Sequence, residues 1–179
     1  MSSIGSTLFI LSLAVLLAPP AHTQSFEALK QVLDRSDPDH QVPNAAKHLA
    51  EAGCRSNNAV LALVSGNEKE FLQDVKEAGS AYAMAATYLN GFSRTEFAKR
   101  TIHPALMSTA LDEEFGSSNT ISEMARRIAA LTQRSAQIAE KIAAGKATRA
   151  DFCLLMKQSR SITLDFTIFL DAIASPPNG

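Results

Sequence analysis

Residues 148–174, TRADFCLLMKQSRSITLDFTIFLDAIA, constrain this chain more than any other stretch. Phe152, Leu155, Ser159, Ile162, Phe166, Phe169 and Ile173 recur at alternating three- and four-residue steps, which sets them on one face of a long helix. Leu154, Leu164 and Ile168 lie away from that seam, so the helix reads as apolar on two sides and central to its domain. Thr148-x-x-Asp151 has the spacing of a capping box, with Asp in place of Glu, and Pro176-Pro177 marks the stop.

The stretch before it reads as an antiparallel partner. Thr120-x-x-Glu123 caps a segment reaching residue 144, and only a short turn at Gly145-Lys146 separates the two helices. Ile121, Met124, Ile128, Leu131, Ser135, Ile138 and Ile142 form a three–four seam, flanked by a second seam of small residues from Ala125 to Ala143. Across the turn the seams fall into one register: Ile142 meets Phe152, Leu131 meets Ile162, and Ser135 meets Ser159. That serine layer leaves room for Tyr82 from a third helix, or for a ligand.

Three further segments complete the helical pattern. Residues 25–33 read as a short amphipathic helix, broken by SDPDHQVP, in which Asp37, Asp39 and His40 read as a solvated turn rather than a metal site. Residues 44–64 carry Ala46, Leu49, Gly53, Ser56, Val60 and Leu63 on one face, with Gly53 marking a kink or a close crossing. Residues 67–90 follow an Asn67-x-x-Glu70 cap and end with Gly91 as the C-cap. Ala78, Gly79 and Ala85 make this a thin helix that a neighbour can approach closely. Shorter helices are expected from Ser93-x-x-Glu96 and from Pro104 to about residue 115. No stretch alternates as a strand would.

The amino-terminal residues 8–18 are apolar except for Ser12 and too short for a membrane-spanning helix, but of signal-peptide length. Cleavage before Gln24, or after Ala21, would leave one helical domain over residues 24–179 and no membrane span. The n-region has no Lys or Arg, which counts against this reading. In an exported chain the two cysteines, Cys54 and Cys153, read as a disulfide, within the chain or between two chains.

Composition excludes several functions. A net charge of −1 argues against a dedicated nucleic-acid binder, whose affinity needs clustered positive charge. The histidines beyond the leader, His40, His48 and His103, stand in no zinc, haem or triad pattern, and G-x-S-x-G is missing. Asp112, Glu113 and Glu114 read as a solvated helix face. The most functional-looking segment is FSRTEFAKRTIHP, where Phe92, Arg94, Phe97, Lys99, Arg100 and His103 mix aromatic and basic character. These six are candidate partner-binding residues, although Phe92 and Phe97 also suit a plug for the bundle's end.

The reading is therefore an all-α, up-down bundle of four main helices plus short extras, stapled by Cys54–Cys153. It is expected to be secreted or periplasmic, without cofactor, metal or catalytic residues, and to bind another protein as an inhibitor, immunity or envelope accessory factor. The alternative is a carrier holding a small apolar ligand between helices around Tyr82, Ser135 and Ser159.

Overall fold

The computed structural model describes residues 22–102 and 119–175. Five α-helices account for most of them: α1 (His22–Ser36), α2 (Gln41–Val64), α3 (Glu68–Phe92), α4 (Ile121–Ala143) and α5 (Arg149–Ala174). A single 3-10 turn, Phe97–Lys99, and one isolated antiparallel bridge between Thr101 and Thr120 complete the regular structure of the described residues. The all-helical bundle expected from the periodicity is what these segments form. The leader expected over residues 1–23 falls mostly outside the described residues, and α1 begins at His22, across the expected cut. The helix expected after Pro104, with Asp112, Glu113 and Glu114, also lies outside them.

The capping signals produce the geometry they encode. Thr120 Oγ1 accepts from the Glu123 amide at 3.1 Å while Glu123 Oε2 accepts from the Thr120 amide at 3.1 Å. Thr148 and Asp151 make the same reciprocal pair at 3.3 and 2.7 Å. Asn67 accepts from the Glu70 amide at the start of α3.

Three helices differ from expectation in their bounds. α1 spans His22–Ser36 where the pattern gives residues 25–33. α2 begins at Gln41, ahead of Pro43, because a proline in the first turn forfeits an N–H that has no intrahelical acceptor. The orphan donors of Gln41 and Val42 are taken by the two carboxylate oxygens of Asp37, at 2.9 and 2.7 Å. Asp37 is 1 % exposed and acts as a buried cap, whereas Pro38, Asp39 and His40 are exposed as a solvated turn would be. His40, at φ 52°, turns the chain through the left-handed region between the two elements. Gly91 is not a C-cap either. Burial of Phe92 keeps that residue helical, and Ser93 takes the capping position.

The helices alternate in direction, but the hub is α3 rather than the last helix. α3 packs extensively on both α2 and α4; α5 lies on α4, meets α2 only sparingly and receives α1. The cause is side-chain size. A Cβ added to Gly79 would sit 3.0 Å from Ala139 Cβ, so α3 and α4 approach through glycine and alanine. α4 buries both of its seams, one against α3 and one against α5. On α5, Leu154 and Leu164 are 42 % and 55 % exposed, so its second apolar side faces solvent and the helix is peripheral. Gly53 has nothing within 4 Å of a built Cβ and marks no close crossing.

The expected disulfide is absent: Cys54 and Cys153 are both free and exposed. Cys153 lies on the solvent side of α5 with Leu164, and α2 touches α5 only sparingly.

Candidate functional site

The aromatic and basic segment after α3 divides between structural work and solvent. Phe92 is fully buried, edge-on to Phe169 at 5.7 Å and 6.3 Å from Phe97. The Arg100 guanidinium lies 4.5 Å from the Phe97 ring centre and donates from Nη2 to the Ser175 carbonyl at 3.0 Å. Its backbone carbonyl accepts from the Ile121 amide at 3.1 Å, and Ser122 Oγ donates to the Ser93 carbonyl at 2.6 Å. Phe92, Phe97 and Arg100 thus close this end of the bundle and tie α3, α4 and α5 together. Lys99 pairs with Glu96 on the surface, Arg94 is exposed, and His103 lies outside the described residues.

Of the suggested ligand layer, Tyr82 and Ser135 lie inside the bundle with their hydroxyls engaged, and Ser135 meets Gln158 rather than Ser159. Ser135 Oγ donates to Gln158 Oε1 at 2.9 Å, and Tyr82, 1 % exposed, places its hydroxyl 3.4 Å from Ser56 Oγ. Ser159 is half-buried beside Gln158. The sequence reading missed Gln158 because it sits one residue off the Phe152–Ile173 seam. Ser56 was visible only as an interruption in an apolar face.

Elsewhere the charged groups serve packing. Arg55 on α2 reaches Asp74 at 3.1 Å and Glu77 at 2.7 Å on α3; its hydrogen bond to Asp74 raises the guanidinium pKa above the ordinary value. His48 stacks on Tyr88 with ring centres 5.6 Å apart and lies 3.5 Å from Glu51. Among the described residues no three His, Cys, Asp or Glu side chains gather in a way that could hold a metal ion.

At the opposite end, apolar side chains stand in solvent. Leu61, Leu63 and Val64, in the last turn of α2, are 65 %, 50 % and 81 % exposed. Leu63 borders an open depression of about 350 Å³ with Gly66, Glu68, Phe71 and Leu72. Phe71 packs edge-on against Phe152 at 5.6 Å, and Phe152 borders a second open depression, of about 410 Å³, with Met156, Lys157 and Arg160. Periodicity assigns Leu63 to the core face, but the buried face of α2 runs through Ala52, Ser56, Ala59 and Ala62, which turns Leu63 outward. Comparison with known proteins finds no matching family model, no matching curated protein and no matching solved structure.

Proposed function

We propose that this chain is an exported, non-catalytic helical-bundle protein that acts by binding another protein, as an inhibitor, immunity or envelope accessory factor does. The observation that carries this reading is the contrast between the two bundle ends. One is closed by Phe92, Phe97, Phe169 and Arg100, whereas the other presents Leu61, Leu63 and Val64 to water. Large side chains grouped in this way are a feature of interaction surfaces. The carrier reading has less support, because Ser135 and Tyr82 already bond to Gln158 and Ser56, and the two depressions described are open.

Native mass spectrometry of the protein purified from its own source tests this choice. A stoichiometric protein partner is the expected result, and a retained small-molecule mass in place of a partner would overturn it. Amino-terminal sequencing of the same sample should begin at Gln24 or His22; an intact Met1 would remove export by cleavage.

A further inference from the structure

The apolar end of the bundle has a chemical asymmetry that narrows its partner. The depression bordered by Leu63, Phe71 and Leu72 adjoins, at the Phe71–Phe152 contact, a second one bordered by Phe152 and Met156 of α5. On that α5 side Lys157 and Arg160 are exposed, and among the described residues neither forms an ion pair. Lys146 and Arg149, at the adjoining α4–α5 turn, are likewise exposed and unpaired, while the nearby carboxylate of Asp151 is already engaged by Lys141 at 2.8 Å. The apolar surface therefore has a basic rim on its α5 side.

We propose that this end docks an amphipathic helix of a partner protein, with the partner's acidic flank against Lys157 and Arg160. The proposal rests on the reading of the chain as a protein-binding module. A helix in a groove anchors by apolar residues on one face, and two depressions meeting at the Phe71–Phe152 contact offer separate seats for such anchors. Rim charges set orientation and the rate of encounter. A second copy fits less well, because a twofold contact through α5 would bring Lys157 and Arg160 against themselves. The chain's own apolar residues 8–18 contain no acidic side chain to meet that rim. An anionic lipid surface would press against Glu68 and Glu70, which stand at the same end.

The test uses two fluorescein-labelled amphipathic helical peptides with one leucine face, whose polar face carries Glu in one and Lys in the other. Anisotropy titrations use the full chain and the chain starting at Gln24. The Glu peptide should bind both about tenfold more tightly than the Lys peptide, and Lys157→Glu with Arg160→Glu should invert the preference. Val64→Asp, at a solvent-exposed position, should weaken binding about tenfold with the helical circular-dichroism signal unchanged. Equal affinity for the two peptides, or binding indifferent to Val64→Asp, would overturn the proposal. So would displacement of the peptide by phosphatidylglycerol vesicles, dimerisation abolished by Val64→Asp, or binding seen only once residues 1–23 are removed. Native mass spectrometry separates this site from the wider reading. A partner kept by both variants rejects the surface and leaves the module standing, whereas no partner on the unmodified protein rejects the module itself.

Discussion

Ser135 Oγ donates to Gln158 Oε1 at 2.9 Å in the middle of the α4–α5 hairpin, where Ser135 is fully buried and Gln158 nearly so. A hydroxyl–amide pair inside an otherwise apolar seam fixes the register of the two helices, because a shift by one turn would take this donor from the buried Gln158 amide and leave Ser135 only its 3.1 Å bond to the Leu131 carbonyl.

Removing half of that pair should cost more than removing all of it. Ser135→Ala leaves the buried Gln158 carbonyl without this donor and should destabilise by about 1–3 kcal/mol, read from the urea midpoint. Ser135→Ala combined with Gln158→Leu should return close to the parent stability. If the single change is neutral, the pair does not hold the register.

Gly53 and Gly79 should respond to substitution with opposite signs. Gly53 lies inside α2 with open space around a built Cβ, so Gly53→Ala should stabilise by about 0.5–1 kcal/mol through helix propensity and backbone entropy. Gly79 meets Ala139, and Gly79→Val should push α3 from α4 and destabilise by about 1–3 kcal/mol. Thermal melts of the two variants check both signs. A stabilising Gly79→Val would show that the α3–α4 approach is not limited at that point.

What the sequence made legible was local. The capping boxes at Thr120 and Thr148 and the three–four seams of α4 and α5 are written within a few residues of where they act, so the hairpin could be read directly. The small residues Ala78, Gly79 and Ala85 also point to a close approach of α3 to the Ala125–Ala143 seam, which Gly79 against Ala139 realises. The exposure of Leu154 and Leu164, which leaves α5 peripheral and α3 the hub, is not encoded in periodicity. Asp37 looked like a loop residue because it caps α2 from four residues upstream, across the left-handed His40. Leu63 carries the right spacing for burial, but the face of α2 that packs runs one position away, through Ala59 and Ala62, and leaves Leu63 and Val64 in water. At the candidate binding segment the residue types were legible, but the placement of Phe92 inside and Arg94 outside depended on how α3 ends.

The cysteines give a direct chemical check of the helix arrangement. With Cys54 and Cys153 both exposed, a native chain under reducing conditions should react with two equivalents of a thiol reagent without prior unfolding. Cys54→Ser and Cys153→Ser should each change stability by no more than about 0.5 kcal/mol, as surface substitutions do. Strong protection of either thiol, or a large loss on replacing one, would contradict the placement of α2 against α5.

The cap of α5 should carry a pH signature. Asp151 is held down to about 2, first by the Lys141 ammonium at 2.8–2.9 Å and then by the Thr148 amide at 2.7 Å and the Thr148 hydroxyl. Its folded value lies below the roughly 3.9 of an unfolded aspartate, so its contribution is fully present above about pH 4 and is lost as pH falls through the folded value. Asp151→Asn keeps the shape and removes the charge. The gap in Tm between parent and variant should therefore hold steady from neutral pH down to about pH 5 and close as pH falls towards about 2. Glu123, lowered chiefly by the Asn119 amide and then by Thr120, should lose its contribution in the acid range as well, so Glu123→Gln serves as the matched variant at the other cap. A gap for Asp151→Asn that persists undiminished to pH 2 would mean that the cap acts through shape alone and that the Lys141 pair adds nothing to the folded state.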